Sequence, residues 1–160
     1  MTTYYQLYDT PVGELLLLSN GDALTATHMT AGKYVPAMSV DWVCDERLPI
    51  LTQTKRELDA YFRGTLRAFT VPLAPHGTDF QQRAWMALTQ IPYGETRTYG
   101  QQAHSIGSPK AVRAIGAANG KNPIGIIVPC HRVIGANGTL TGYAGGLRNK
   151  EFLLKLEGIV

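Results

Sequence analysis

The chain has 160 residues, 44% of them hydrophobic and 17% charged, with a formal net charge of +3, a composition typical of a folded globular protein and not of a disordered one. No segment approaches the roughly 18 consecutive apolar residues of a membrane span, and the N-terminus lacks the basic and apolar regions of a signal peptide, so we expect a cytoplasmic protein with no membrane partner. Two cysteines, Cys44 and Cys130, exclude a disulfide framework.

Residues 1–72 are predicted to form a small α/β domain. The segments YYQLY and ELLLLS flank the turn DTPVG, and NGD leads into ALTATHM, so residues 4–29 predict a meander of strands joined by tight turns. The segment LPILTQTKRELDAYFRG has its apolar residues on one face of a helix, with Gly64 as a stop. Residues 73–78 include proline and glycine and are predicted to be a linker.

Residues 79–160 are predicted to form a mainly helical domain. Asp79 is expected to cap a first helix, whose apolar residues recur at helical spacing until the sequence PYG ends it. The chain as a whole is therefore predicted to belong to the α+β class, with a sheet-containing first part and a helical second part.

Two short helices of the second domain form a helix-turn-helix candidate. Thr98 opens the first of them and Gly107 closes it. Ser108 is expected to cap the second, which has proline at its first position and ends near Gly120. Many helical domains contain such a corner, so the pattern alone does not identify a DNA-binding unit.

The second of these helices, PKAVRAIGAANG, is rich in alanine and glycine, and Lys110 and Arg113 are its only long side chains. Small residues let a helix lie close to another surface. That surface is either a neighbouring helix or a DNA groove into which Arg113 projects. A smooth helix with one arginine suits a narrow groove better than side-chain-rich reading of base edges.

Charge is distributed unevenly between the two halves. Residues 1–78 carry six Lys/Arg and eight Asp/Glu, whereas residues 79–160 carry nine and four. No acidic residue lies between Glu95 and Glu151, although seven basic residues do. A long basic segment without acids indicates a polyanionic partner, most often nucleic acid, unless acids from the first half neutralise it in the folded protein.

Cys130, in the segment IIVPCHRVIG, has three possible roles. It can be a small buried core residue, a metal ligand or a nucleophile. Metal binding is disfavoured, because the two cysteines and four histidines have no zinc-type spacing. A nucleophilic thiolate needs a base such as His131, which in turn needs a carboxylate to fix its tautomer.

Few carboxylates are available to orient His131. The second half supplies four of them: Asp79, Glu95, Glu151 and Glu157. Glu157 follows the apolar helical segment NKEFLLKLEG, which can fold back onto the core. Glu157 is therefore the favoured partner of His131.

These segments closely resemble the O6-alkylguanine-DNA alkyltransferases (methylated-DNA–protein-cysteine methyltransferases), in particular the short bacterial members. The resemblance is carried by NPIGIIVPCHRVIG, GYAGG and KEFLLKLEG, and extends through TDFQQRAWMALTQIPYGETRTYGQQA and SPKAVRAIGAANGKNP. It implies a ribonuclease-H-like N-terminal domain and a winged-helix-like C-terminal domain with a helix-turn-helix. The first half supports it only through its size and α/β pattern.

The resemblance also implies a reaction and a partner. The protein would repair DNA by direct reversal, transferring the alkyl group of O6-alkylguanine, and of O4-alkylthymine, irreversibly to Cys130 in one turnover per molecule. It would need no cofactor. Its partner would be double-stranded DNA with alkylated bases, bound through the minor groove by a monomer, with cooperativity on DNA left open.

The family pattern further implies roles for individual residues. His131, oriented by Glu157, would deprotonate Cys130 through a water, and Asn122 would tie the recognition helix to the active-site turn. The remaining roles concern DNA and the flipped base: an intercalating Arg113, phosphate contacts near Ser108 and Lys110, phosphate crowding and proton donation by Tyr99, and a base pocket formed by Val133, Tyr143 and Ala144.

The chain departs from some relatives in two respects. It lacks the Cys and His ligands with which some relatives hold zinc, so no metal is expected. Gly125 stands where some relatives carry proline, which predicts a pocket that accepts alkyl groups larger than methyl. Cys44, in DWVCDE, lies outside every matched motif and is expected to be structural or merely exposed.

Two other functions compete with alkyl transfer. A DNA-binding protein that senses alkyl lesions without transfer would share the fold, but such relatives replace the cysteine, which this chain retains. A Cys-His thiol hydrolase would explain Cys130 and His131 but not the basic segment or the helix-turn-helix.

Overall fold

The computed structural model describes all 160 residues and begins with a four-stranded sheet. Strands β1 (Tyr4–Thr10), β2 (Gly13–Ser19) and β3 (Leu24–Met29) form an antiparallel meander, and the short β4 (Val43–Cys44) pairs with β1 in parallel, giving the order β3-β2-β1-β4. The predicted meander is confirmed. Cys44 lies exposed on this edge strand.

The central strand β2 is apolar on both faces because both faces are covered. Leu15 and Leu17 join the main core, to which helix α1 (Pro49–Phe62) contributes its buried face. Leu16 and Leu18 face the other side and pack in a smaller cluster of their own. Each fully buried leucine stabilises the fold by about 1.5–3 kcal/mol.

The first helix of the second part, α2 (Asp79–Thr89), begins where predicted but with a different cap. Thr78, not Asp79, is the N-cap, so that prediction is wrong. Thr78 has an extended backbone, and its hydroxyl accepts a hydrogen bond from the Gln81 N–H at 3.2 Å. The Gln81 side chain accepts from the Thr78 N–H at 2.9 Å, which completes a capping box.

The helix-turn-helix candidate consists of α3 (Tyr99–Ser105), capped by Thr98 as predicted, and α4 (Val112–Gly120). The prediction that Ser108 caps α4 is wrong. The Ser108 carbonyl accepts a hydrogen bond from the Ala111 N–H at 2.9 Å, which closes a turn over residues 108–111. Because the turn uses these residues, the helix begins only at Val112.

The small residues of α4 lie on both the packed and the exposed side of the helix. Ile115 and Ala118 are buried against Ala84 of α2 and Ala103 of α3, so the helices pack closely on that side. The opposite side of α4 is exposed and carries Arg113, Ala114 and Ala117. Of these three, only Arg113 has a bulky side chain.

The segment that carries Cys130 follows α4. Cys130–Arg132 form a 3₁₀ turn, Val133–Ile134 form β6, which pairs in parallel with β5 (Arg97–Thr98), and α5 (Leu147–Leu156) closes the chain. Sequence patterning did not find β5 and β6, since two-residue strands are too short to show a period.

The two parts share one core. The main hydrophobic cluster contains residues of both, and Thr27 of β3 bonds the backbone of the second part, donating its N–H to Pro123 and its hydroxyl to Gly125. The α+β class, with a sheet-based first part and a helical second part, is confirmed. No helix is both long and apolar enough to cross a membrane.

Candidate active site

Cys130 lies at the start of the 3₁₀ turn, at the end of a buried apolar run. Residues 126–129 are buried and bring the chain from the core to the site. Ile126 has a left-handed backbone with φ 72°, which is a costly conformation for a β-branched residue. The surrounding core holds this bend, so the position of Cys130 is fixed by packing.

Asn122 ties this turn to the end of α4. Its Nδ2 donates to the Val128 carbonyl at 2.8 Å and its Oδ1 accepts from the Ile124 N–H at 3.0 Å. Burial raises the pKa of the Cys130 thiol, while the Asn122 amide and the charge of Lys150 act in the opposite direction. The thiol therefore needs a base to become a thiolate at neutral pH.

His131, the predicted base, follows Cys130 directly in the chain. It is fully buried, and its Nε2 lies 2.6 Å from Oε2 of Glu157, as the sequence predicted. Burial lowers the pKa of His131, which favours the neutral ring. With Nε2–H donated to Glu157, Nδ1 carries the lone pair, and Nδ1 has no partner in the protein.

Glu157 anchors a larger buried network than the sequence indicated. Arg132 donates to both carboxylate oxygens, from Nε at 2.8 Å and Nη2 at 3.1 Å, and the Gly94 N–H donates at 3.1 Å. Burial acts to raise the pKa of Glu157, but hydrogen bonds from His131 and Arg132 outweigh it and lower the pKa to about 2. The carboxylate is thus ionised at every physiological pH.

Tyr61 completes this network from the first domain. Its hydroxyl donates to Oε2 of Glu157 at 2.6 Å, across the domain interface. Sequence analysis placed Tyr61 on the apolar face of α1 and assigned it no role in the site. The signal was present, since a buried tyrosine hydroxyl needs a partner. The sequence did not say which partner.

Replacing Tyr61 with phenylalanine removes this bond without removing the ring. We expect the free energy of unfolding to fall by about 1.5–3 kcal/mol, the usual value of a hydrogen bond to a charged group. Urea unfolding of the variant measures it. Tyr93→Phe is the control, because the Tyr93 hydroxyl makes only a long 3.4 Å bond to the Leu156 carbonyl. Equal losses in the two variants would contradict the role of the Glu157 bond.

Lys150 is a second residue that the sequence did not single out. Its side chain is fully buried, and its Nζ donates to the carbonyls of Val133 at 2.6 Å and Thr141 at 2.8 Å. Burial lowers the pKa of Lys150 to about 8, while the nearby Cys130 acts to raise it. Lys150 joins strand β6 to the loop at 141–144 and places a positive charge near the thiol.

A cleft of about 270 Å³ opens onto Cys130. It is lined by Tyr99, Tyr143 and Ala144, together with Gly116 of α4. The Tyr99 hydroxyl donates to the Thr141 carbonyl at 3.0 Å, and the buried Tyr143 hydroxyl has no partner. The predicted base-pocket residues Tyr143 and Ala144 thus lie together, whereas the Val133 carbonyl is bound by Lys150 behind them.

A smaller cavity of about 60 Å³ adjoins Cys130 on the side of β3. Thr27 and Gly125 line it. A larger cleft, of about 770 Å³, lies between α2 and α3 and does not reach Cys130. No group of three or more His, Cys, Asp or Glu side chains is arranged to hold a metal ion.

The predicted DNA-contacting residues lie outside this cluster. Arg113 and Lys110 are exposed and Ser108 is half-buried. Arg113 stands one helical turn before Gly116, on a face of α4 that borders the cleft. The helix therefore joins the exposed basic side chains to the entrance of the thiol site.

Two family models match the chain. The 6-O-methylguanine DNA methyltransferase, ribonuclease-like domain, matches residues 3–75, and the 6-O-methylguanine DNA methyltransferase, DNA binding domain, matches residues 79–159. The division predicted from the sequence, with domains at 1–72 and 79–160 and a linker at 73–78, stays a prediction.

Individual relatives cover nearly the whole chain. A methylated-DNA–protein-cysteine methyltransferase of Methanosarcina acetivorans is 54% identical over 97% of this chain and 98% of its own length. One of Haemophilus influenzae is 47% identical over 98% and 87%. The crystal structure of Mycobacterium tuberculosis OGT in complex with DNA superposes with a TM-score of 0.89 at 50% identity, over 96% of this chain and 92% of that one.

Proposed function

Because this chain belongs to the 6-O-methylguanine DNA methyltransferase family, we propose that it repairs DNA by direct reversal, transferring the alkyl group of O6-alkylguanine to its own Cys130. The observation that carries the proposal is the arrangement of Cys130 at the floor of a cleft with the buried His131–Glu157 pair beside it. The family-model matches and the similar relatives confirm the resemblance drawn from the sequence.

The reaction begins with loss of the thiol proton. Nδ1 of His131 accepts it through a bridging water, and Glu157 stabilises the imidazolium that forms. The charge of Lys150 and the Asn122 amide stabilise the thiolate. Sγ then attacks the alkyl carbon in line with the C–O6 bond; an S–C bond forms, the C–O bond breaks and its electron pair leaves with guanine.

Tyr99 and the 141–144 loop act on the base. The guanine that leaves is an anion, and the Tyr99 hydroxyl donates a proton toward it. The Ala144 N–H donates to the flipped base and Tyr143 lines its pocket. The Val133 carbonyl already accepts from Lys150, so it bonds the base only through its second lone pair. The product is a thioether, which has no hydrolytic exit, so each molecule acts once.

DNA binds on the exposed side of α4. Its small residues let the helix approach a minor groove closely, and Arg113 takes the place of the extruded base. Lys110 and Ser108 contact phosphates, so binding weakens steeply with salt. We propose that the protein binds as a monomer, repairs O4-alkylthymine as well and works in the cytoplasm.

Replacing Arg113 with alanine is expected to slow repair of duplex substrate by at least about tenfold. Extruding the base costs a few kcal/mol of stacking, and without the arginine no side chain fills the vacated space in the duplex. Repair of single-stranded substrate should change little. Single-turnover rates on both substrates measure this. Arg148→Ala, which removes an exposed arginine of α5, is the control. Equal slowing on both substrates would contradict an intercalating role.

One experiment separates the proposed function from its alternatives. The protein is incubated with a duplex carrying radiolabelled O6-methylguanine, and label on the protein is counted. Transfer that stops at about one label per molecule supports the proposal. Duplex binding without transfer would mark a lesion-sensing protein, and repeated turnover of a thioester without DNA would mark a thiol hydrolase.

A further inference from the structure

The turn that follows β3, residues 30–34, lies directly against the active-site loop. The Lys33 N–H donates to the Ala144 carbonyl at 2.9 Å, and the Gly32 N–H donates to the Met29 carbonyl at 2.8 Å. A Cβ on Gly32 would lie only 2.7 Å from the Ala144 oxygen. The first domain therefore supplies one wall of a site whose chemistry belongs to the second.

Tyr34 ends this turn at the entrance of the site. It lines both the 270 Å³ cleft and the 60 Å³ cavity, and both contain Cys130. Its backbone is left-handed, with φ 61°, and its ring lies 5.9 Å from Nζ of Lys121. Tyr34 is 62% exposed, so it borders the opening and is not part of the core.

The smaller cavity offers space to the outer part of an alkyl group on Cys130, because Cys130 itself lines it. In-line attack places the reacting carbon against Sγ of Cys130 and the base in the larger cleft. Atoms beyond that carbon need further space, and the cavity beside Cys130 offers it. Gly125 adds no side chain there, and Thr27 of β3 forms part of the lining. Of the first domain's ring-bearing side chains, His28 and Tyr34 border this space, and Tyr34 also lines the larger cleft.

We propose that Tyr34 determines specificity in the transfer reaction by limiting the size of the alkyl group that Cys130 accepts. This inference rests on the proposed function. Gly125 leaves room on the side of the active-site turn, and Tyr34 closes the same space from the opposite domain. The upper size limit is therefore set by the N-terminal domain.

The test compares two alkyl groups on one duplex. Single-turnover rates are measured with O6-methylguanine and with O6-benzylguanine for the wild type, Tyr34→Ala, Tyr34→Phe and Met38→Ala. Met38 is exposed in the same segment and lines neither cavity. The ratio of benzyl to methyl rates is compared, because a loss of folded protein changes both rates equally and leaves the ratio unchanged.

Tyr34→Ala is expected to raise the ratio about tenfold, since small changes in pocket size alter discrimination by about 10- to 200-fold. Tyr34→Phe and Met38→Ala should leave the ratio unchanged. A ratio that stays constant or falls in Tyr34→Ala overturns the inference, as does the same rise in Met38→Ala. If the wild type transfers no methyl group, the proposed function fails first, which is a distinct result.

Discussion

Replacing Cys130 with alanine is expected to abolish alkyl transfer completely while duplex binding is kept. Alanine has no lone pair with which to attack carbon, and no other side chain at the floor of the cleft is a thiol. The exposed residues proposed to bind DNA, Arg113 and Lys110, line neither cavity that contains Cys130. Label transfer and gel-shift binding, measured on the same preparation, check both parts.

Cys44→Ala is the matched control for this variant. Cys44 is the other free cysteine and lies exposed on the edge strand β4. Its replacement should leave transfer at the wild-type rate. Loss of transfer in Cys44→Ala, or residual transfer in Cys130→Ala, would contradict the assignment of the acceptor.

Glu157→Gln is expected to slow transfer by about 100-fold or more, the usual contribution of a positioned acid–base group. The neutral amide no longer stabilises the His131 imidazolium that forms during deprotonation of Cys130. The change also leaves the buried Arg132 guanidinium without its countercharge, which costs about 3 kcal/mol of stability. Single-turnover rates and urea unfolding measure the two effects.

Glu151→Gln is the control, because Glu151 lies on α5, the helix that Glu157 caps, in an exposed pair with Lys155. Such an exposed pair contributes little to stability, and it does not touch the site. Transfer at the wild-type rate in Glu157→Gln would rule out the His131–Glu157 relay.

The buried network around Glu157 makes the free energy of unfolding depend on pH. The pKa of Glu157 falls from 4.5 to about 2 on folding, so its contribution is complete above pH 4.5 and is lost as the pH falls toward 2. The pKa of His131 is lowered from 6.5, so stability also declines as the pH drops below 6.5, where the unfolded chain takes up the proton. In urea unfolding experiments, Glu157→Gln should no longer show the loss of stability between pH 4.5 and about 2 that Glu157 causes.

The sequence predicted the contact between His131 and Glu157 beside Cys130, but not the residues that surround it. Cys130 and His131 are adjacent in the chain, and Glu157 was favoured because few acids lay in the second half. Arg132, Tyr61 and Lys150 have no such signal. A buried cation is indistinguishable from a surface one in the sequence, and the contact of Tyr61 with Glu157 spans 96 positions.

The errors in the predicted elements have local causes. Asp79 and Ser108 are both good cap residues by type, yet backbone geometry selects Thr78 in one case and a preceding turn in the other. The hydrogen bonds from Thr27 of β3 to Pro123 and Gly125 were not predicted either, because they depend on how the two separately predicted domains pack together.

The most direct test of the account is to locate the transferred group. The protein is incubated with excess O6-methylguanine duplex, digested and examined by peptide mass spectrometry, and the DNA is analysed in parallel. We predict one methyl group on the peptide that carries Cys130, none on the peptide that carries Cys44, and one restored guanine for each methylated protein. A methyl group on another residue, or restored guanine with unmodified Cys130, would contradict the account.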